Sequence, residues 1–265
     1  MRQFRQEARN HLLQGLPSPA LHALMPHLNT VELTSRQCIT KPGDSLDTVC
    51  FIESGLVSLV VEGRDGVQLE VRTIGRDGMI GHSALLGLTR SAHAVIVQID
   101  GFGLQAPTST VIDSLECPKA RAVFHRYLHR CDMELAEAAL SAAKYSMKQR
   151  LARWLLLCQD RIESNNLPVT HDALAQSLGV RRAGITDQLH VLEGLHAIRS
   201  TRGNVRILNR ALLIDLAGGC YGAAKDALEP SAEATTGRCP IHQAPLGFPD
   251  PLPARAAAAA ASMLG

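Results

Sequence analysis

Aromatic residues are scarce. They make up 3% of the 265 residues, and there is one tryptophan. The cores must therefore be aliphatic, drawn from the Leu, Val, Ile and Ala within an apolar fraction of 46%. Paired cysteines are also lacking. Cysteine occurs 7 times, an odd number, and nowhere as C-x-x-C. That argues against a disulfide framework and a zinc ribbon, and fits reduced thiols in a reducing compartment. No apolar run reaches the roughly 18 residues that a spanning helix needs, so no membrane partner is expected. The opening Met1-Arg2-Gln3-Phe4-Arg5 leads into a polar stretch without the apolar core of a signal peptide, and the expected location is cytoplasmic. No Gly-rich phosphate loop, pair of catalytic carboxylates or nucleophile motif stands out, so no enzymatic activity is expected.

What is present is organised by charge and by period. The overall charge of +2 is uninformative, but its distribution is not. Residues 1–116 carry 9 Lys+Arg against 12 Asp+Glu, whereas residues 181–210 carry 6 Arg against 2 acids. A local basic patch on a near-neutral chain suits a phosphate backbone, although charged surfaces are also ordinary.

Four regions follow from the pattern. Residues 1–116 begin with two short helices, split by Pro17 and Pro19, with Leu12, Leu13, Leu16, Leu21 and Leu24 as buried positions. From Val31 to about Ala106, short Val/Ile/Leu runs alternate with turn signals. These are Lys41-Pro42-Gly43-Asp44, Glu53-Ser54-Gly55, Asp65-Gly66, Asp77-Gly78 and Asp100-Gly101. Strands at this spacing predict a rolled or closed antiparallel sheet. Residues 117–146 read as one long helix. Phe124, Leu128, Cys131, Leu135, Ala138, Ala142 and Tyr145 fall at a/d spacing, which predicts a two-helix seam in a homodimer. The alternative is a helix packed on its own domain. Residues 147–225 hold a further helix with Leu151, Trp154, Leu155, Cys158 and Ile162 on one face, ended by Asn165-Asn166-Leu167-Pro168. Residues 226–265, rich in Ala and Pro, are expected to form a poorly ordered tail.

The third region holds the motif that matters most. Thr170 is a good N-cap for a helix over residues 171–177. Ala175 allows a close helix crossing, Gly179 allows a turn, and a second helix runs from Arg181 to about Glu193 with Ile185, Leu189 and Leu192 inward. Thr201-Arg202-Gly203-Asn204 then joins two short β runs as a hairpin wing. At about 100° per residue, Ala183, Asp187 and His190 point outward with Thr186 on one flank. Arg181 and Arg182 open the second helix, where side chains reach base edges or phosphates of double-stranded DNA. The candidate DNA-contacting set is therefore Thr170, Arg181, Arg182, Thr186, Asp187, His190, Arg202 and Asn204. Ala183 and an unexpectedly polar Gln188 keep a second reading open, in which a degenerate winged helix serves a ligand-binding or scaffold protein.

The order of several segments resembles the Crp/Fnr family of bacterial regulators over roughly residues 10–222. The segments are Lys41-Pro42-Gly43-Asp44, Phe51-Ile52-Glu53-Ser54-Gly55-Leu56-Val57, Gly75-Arg76-Asp77-Gly78-Met79-Ile80-Gly81, Arg150-Leu151-Ala152-Arg153-Trp154-Leu155-Leu156, and Leu178-Gly179-Val180-Arg181-Arg182 through Leu192-Glu193-Gly194. The resemblance implies an α+β chain. It comprises an N-terminal cyclic-nucleotide-binding-like β-roll that senses an effector, a long dimerisation helix and a C-terminal winged helix-turn-helix. RNA polymerase is a partner that the resemblance suggests. The implied effector pocket would include Gly81, His82, Ser83, Arg90 and Ser91. In nucleotide-binding members a Glu follows the glycine and holds the ribose, and an Arg pairs with the cyclic phosphate. Here His82 replaces that acid, so the expectation is against cyclic AMP. An iron–sulfur cluster is not expected, because the first cysteines are Cys38 and Cys50 rather than an N-terminal cluster. A haem is not expected either, since lone histidines such as His82 and His93 are usually ordinary ones. Cys239-Pro240-Ile241-His242 resembles half of a metal site with no second half.

Overall fold

A computed structural model describes residues 8–222. The expected tail and the Cys239–His242 segment lie outside the described residues. The elements run α1 (His11–Gly15), α2 (Ser18–Leu24), β1 (Asn29–Leu33), β2 (Cys38–Thr40), β3 (Thr48–Glu62), β4 (Gln68–Ile74), β5 (Met79–Ile80) and β6 (Ala94–Pro107). They continue with α3 (Thr108–Ser114), α4 (Pro118–Lys144), α5 (Met147–Ile162), β7 (Asn166–Leu167), α6 (His171–Leu178), α7 (Arg182–Gly194), β8 (Ile198–Thr201), β9 (Asn204–Ile207) and α8 (Arg210–Ala217).

The N-terminal roll is an antiparallel sheet in the order β1-β6-β3-β4, with β2 on β6 and β5 on β3. Its two long strands, β3 and β6, pair from Thr48↔Pro107 to Val60↔Ala94. Glu53-Ser54-Gly55 and Asp100-Gly101 are expected as turns, yet both lie inside these strands. They face one another where the register shifts between Ile52 and Leu56. A Cβ at Gly101 would overlap the Ser54 carbonyl oxygen, and Gly55 has φ +84°. The glycines therefore bend a continuous ladder and do not end it. Inside the roll an aliphatic cluster that includes Ile52, Val57, Leu59, Ile74, Val95 and Val97 fills the space.

Asn10 and Glu53 fasten the first helix to this sheet. Asn10 is fully buried. Its Oδ1 accepts from the Leu12 and Leu13 amides, and its Nδ2 donates to the Ile52 and Gly78 carbonyls at 2.9 and 2.8 Å. Glu53 accepts from the Arg9 amide at 2.5 Å. One residue thus caps a helix and satisfies two buried carbonyls in another part of the chain.

The long helix α4 corrects the seam expected from spacing. Phe124 and Cys131 are 0% and 4% exposed, in the core that the helix shares with α1, α2 and β3. Tyr145 ends the helix and packs on the C-terminal core. All three pack on elements of their own chain, because a stripe of this period serves a chain's own core as well as a partner. Leu128 and Ala138 are half-buried, while Leu135 and Ala142 are exposed. The open face lies to one side and carries Asp132, Leu135, Ala136, Ala139, Leu140 and Ala143.

The C-terminal module has its own aliphatic core, built from α5 to α8 around Leu151, Leu155, Leu174, Ile185, Leu189 and Leu213. The roll contributes Leu56 and Ile99 to the same cluster. Ser146 and Gln149 form a capping box at the start of α5. Gly75 of the roll meets α5 so closely that a Cβ there would lie 2.5 Å from the Arg161 Cβ.

A buried charge cluster closes this junction. Glu134 of α4 accepts from Arg72 of β4 at 2.6 Å and from Arg161 of α5 at 2.9 Å. Arg161 also lies 3.4 Å from Asp77, and Arg130 lies 3.6 Å from it. Burial pushes the Asp77 carboxyl up, but Arg161, Arg130 and Arg72 outweigh burial and hold it at about 2, against an ordinary 3.8. A carboxyl with a depressed folded-state pKa contributes stability that is complete above its unfolded value and is lost as pH falls through its folded value. Asp77→Asn should therefore flatten the loss of stability between about pH 4 and about pH 2, and cost ~2 kcal/mol at neutral pH by leaving Arg161 and Arg130 short of a partner. Urea midpoints measured at stepped pH check this; a slope equal to that of the parent chain would contradict it.

Candidate nucleic-acid interface and sensor pocket

The C-terminal module presents one charged face. Thr170 caps α6, its Oγ1 accepting from the Ala173 amide at 3.1 Å. Gly179 ends that helix with φ +64°, and its amide is bonded back into the last turn. The turn then delivers Arg181, which caps α7 and does not start it as expected; the helix begins at Arg182. Ile185, Leu189 and Leu192 are fully buried. That fixes the rotation of the helix. Arg181, Arg182, Ala183, Asp187 and His190 are exposed together. Arg182 Nε lies 3.4 Å from the Asp172 carboxylate, across an exposed pair. Such a pair exchanges readily for a phosphate or a base edge.

The hairpin wing is formed by β8 and β9, paired from Ile198↔Ile207 to Thr201↔Asn204. Its tip is Arg202-Gly203, with Arg202 exposed and Gly203 at φ +75°. Asn204 is half-buried in β9. A third strand, β7, pairs with β9 through Asn166 and Leu167. Those residues are read from sequence only as the end of a helix, since two residues show no alternation.

Two side chains absent from the sequence reading organise this face. His171 Nδ1 lies 3.0 Å from Thr186 Oγ1, and its Nε2 lies 3.3 Å from Ser200 Oγ. One ring thus ties the first helix of the motif to the second helix and to the wing. Asp172 orients Arg182. Neither carries a local signal, because each matters through a partner on another element.

The implied sensor site is assembled differently from expectation. Arg90 is tied to the chain through one of its five donors. Its Nη1 donates to the Gly43 carbonyl at 2.7 Å, while the Gly43 amide donates to Ser91 O at 2.7 Å and the Ser91 amide to Asp44 O at 2.9 Å. Arg90 and Ser91 therefore buttress the Lys41–Asp44 turn. Ser91 Oγ donates to the His93 carbonyl at 2.8 Å. Gly81 takes φ +83° and opens the short 3₁₀ turn His82–Leu86, which includes Ser83. The His82 ring points at α4, edge-on to Tyr127 with centroids 6.2 Å apart. Burial, then Arg72 and His93, lower its pKa to about 4. Tyr127 is itself pinned. Its hydroxyl accepts from the Met79 amide at 2.9 Å and donates to the Met79 carbonyl at 3.1 Å. A cavity of about 360 Å³ near the mouth of the roll is lined by Gly81, with Asp44, Thr48, Cys50 and Gln105, but not by His82, Ser83, Arg90 or Ser91. Of the five expected pocket residues, Gly81 lines this cavity. Arg90 Nη1 is engaged by the Gly43 carbonyl, and position 82 holds a histidine where the nucleotide-binding pattern has an acid.

Comparison with known proteins agrees with the architecture. A family model described as a cyclic nucleotide-binding domain matches residues 30–108, and one described as a Crp-like helix-turn-helix domain matches residues 149–216. No curated protein matches the chain. Among solved structures, a putative Crp/Fnr regulator from Eubacterium rectale is similar at 16% identity and TM-score 0.60, covering 79% of this chain and 98% of that one. FixK2 from Bradyrhizobium japonicum is similar at 15% identity and TM-score 0.63, covering 72% and 98%. CLP from Xanthomonas campestris, a regulator responsive to c-di-GMP, is similar at 16% identity and TM-score 0.60, covering 72% and 99%. At such identities the structures speak for the fold alone. A nucleotide-binding-type roll and a Crp-like helix-turn-helix in this order make the chain a member of the Crp/Fnr family of DNA-binding transcription regulators.

Proposed function

We propose that the chain is a cytoplasmic, sequence-specific transcription regulator that binds double-stranded DNA as a homodimer and answers to a small effector other than cyclic AMP. The observation that carries the DNA reading is the joint exposure of Arg181, Arg182, Asp187 and His190 on α7, beside the wing arginine Arg202. Arg182 lies in the first turn of a helix with the dimensions of the major groove, where an arginine fork reads guanine. Asp187 is placed to accept from a cytosine amino group. Arg202 at the wing tip meets phosphate, which positions without specifying. Thr170, Thr186 and Asn204 flank this surface, with Thr186 engaged by His171. RNA polymerase is the further partner that a promoter-bound regulator of this family would address. The scaffold reading has no supporting observation on α7, whose outward face is fully formed.

The partner for the homodimer is a second copy of α4. Its open face holds Ala136, Ala139 and Ala143 between Leu135 and Leu140, which are 38% and 51% exposed. Small residues on a helix face permit close helix approach.

Four outcomes are expected. In selection from randomised DNA followed by gel shift, Arg182→Ala should weaken the selected site by ~1–3 kcal/mol and relax one position of the logo. Arg202→Ala should instead weaken all sequences alike and reduce the salt slope by about 1. An unchanged logo for the first, or a sequence-selective loss for the second, would reverse the assignments. Ala136→Glu adds a charge that is solvated in the protomer and buried in the pair, so it should sediment as a monomer where the parent chain sediments as a dimer. A dimer of normal strength would place the seam elsewhere. Calorimetry with cyclic AMP should give no heat in the micromolar range. Micromolar binding that disappears in Arg90→Ala would restore a nucleotide sensor.

A further inference from the structure

A cleft of about 240 Å³ lies between β4, α4, α5 and α6. Leu69 and Val71 form its wall on the roll side, Ala138 on the long helix, and Arg150, Trp154 and Leu178 on the C-terminal module. These apolar groups share the wall with Glu70, Arg72, Glu134, Arg153 and Arg161, whose charged ends pair or hydrogen-bond with one another or with neighbouring side chains. A dry apolar cavity of roughly 150 Å³ already accepts benzene, so the space suits a ring or a short alkyl chain.

Arg150 sets the polarity of this cleft. Its Nη2 donates to the Leu178 carbonyl at 2.7 Å. Among the described residues no carboxylate lies within ion-pair distance of it, whereas the other arginines of the wall are matched. Arg72 and Arg161 share Glu134, and Arg153 lies 3.4 Å from Glu137. Burial pushes the Arg150 pKa down, as it does for a cation without a counter-ion. Two further polar atoms of the wall, Arg72 Nη1 and Thr73 Oγ1, are buried without a hydrogen-bond partner. The arrangement is an apolar slot with one unneutralised guanidinium.

We propose that this cleft binds a small amphipathic monoanion, its carboxylate paired with Arg150 and its apolar body held between Trp154 and Ala138. A guanidinium with four donors to spare accepts a carboxylate through two parallel bonds. The walls belong to both the roll and the DNA-binding module, so a ligand here favours one arrangement of the two over another by its difference in affinity. The site deepens the regulator reading by giving its effector a place and a chemical class.

Trp154 is the one tryptophan of the chain, so its emission reports on the cleft without DNA. Failure of this site and failure of DNA binding are thereby seen separately. The full chain is titrated with 4-phenylbutyrate, with the neutral 4-phenylbutan-1-ol and with inorganic phosphate. The acid should give a saturable change. The alcohol, which lacks the charge, and phosphate, which lacks the apolar body, should need about tenfold more ligand or beyond. Arg150→Met should raise the half-saturation of the acid by about tenfold or more, the loss of one charge-assisted pair. Ala138→Leu should do the same by filling the slot while leaving every charge in place. Melting curves identify which variants are folded, and either one suffices. No saturable response to the acid, equal responses to acid and alcohol, or an unchanged titration in a folded variant would overturn the proposal.

Discussion

Glu134 is the carboxylate on which the arrangement of the chain turns. It sits on the long helix, yet it holds Arg72 from the sheet and Arg161 from the first helix of the DNA-binding module. Side chains this far apart in sequence meet only when roll, helix and module are all in place. Buried ion pairs add little net stability, because desolvation offsets attraction, but they penalise any arrangement that separates the partners. A few steps along β4, Glu70 works in neutral company. It accepts from Trp154 Nε1 and Ser177 Oγ, each at 2.8 Å, and from Ser58 Oγ. Burial raises its pKa, and the hydrogen bonds oppose that rise. Strand β4 therefore holds the module directly through Glu70 and Gln68 and, by way of Glu134 on α4, through the charge cluster.

The DNA-facing surface depends on this in a graded way. Its helix rotation is set locally by Ile185, Leu189 and Leu192. The wing is set by His171, which bridges Thr186 and Ser200. The module can thus keep its reading surface intact while its docking on the roll changes. That separation is what a regulator needs if an input is to move the surface without remaking it.

Much of this was legible in the sequence, and the losses have a common physical origin. The helix-turn-helix is local: Thr170, Ala175 and Gly179 each act within a turn or two, so their spacing carries their role. The bends at Gly55 and Gly101 look like turns in sequence because a glycine signals an unusual backbone, not whether the ladder continues through it. The stripe from Phe124 to Tyr145 has the spacing of a dimer seam, but apolar spacing records that a face is covered, not by what. Tyr127, Arg72 and Arg161 escaped altogether, since their partners lie on other elements. The contact of Arg90 with the Gly43 carbonyl is equally invisible in sequence, because the two residues lie on separate segments.

The pairing of β3 with β6 has a consequence in time. Cys50 pairs with Gln105, and β1 pairs with the same far strand through Asn29. Closing such long loops costs entropy before any contact repays it, so sheets of this topology form slowly. The winged helix, built from neighbours in sequence, closes quickly. Made of local contacts, it needs no long loop closed before it orders. It would then wait for the roll to deliver Leu56 and Ile99, the two side chains that complete its core.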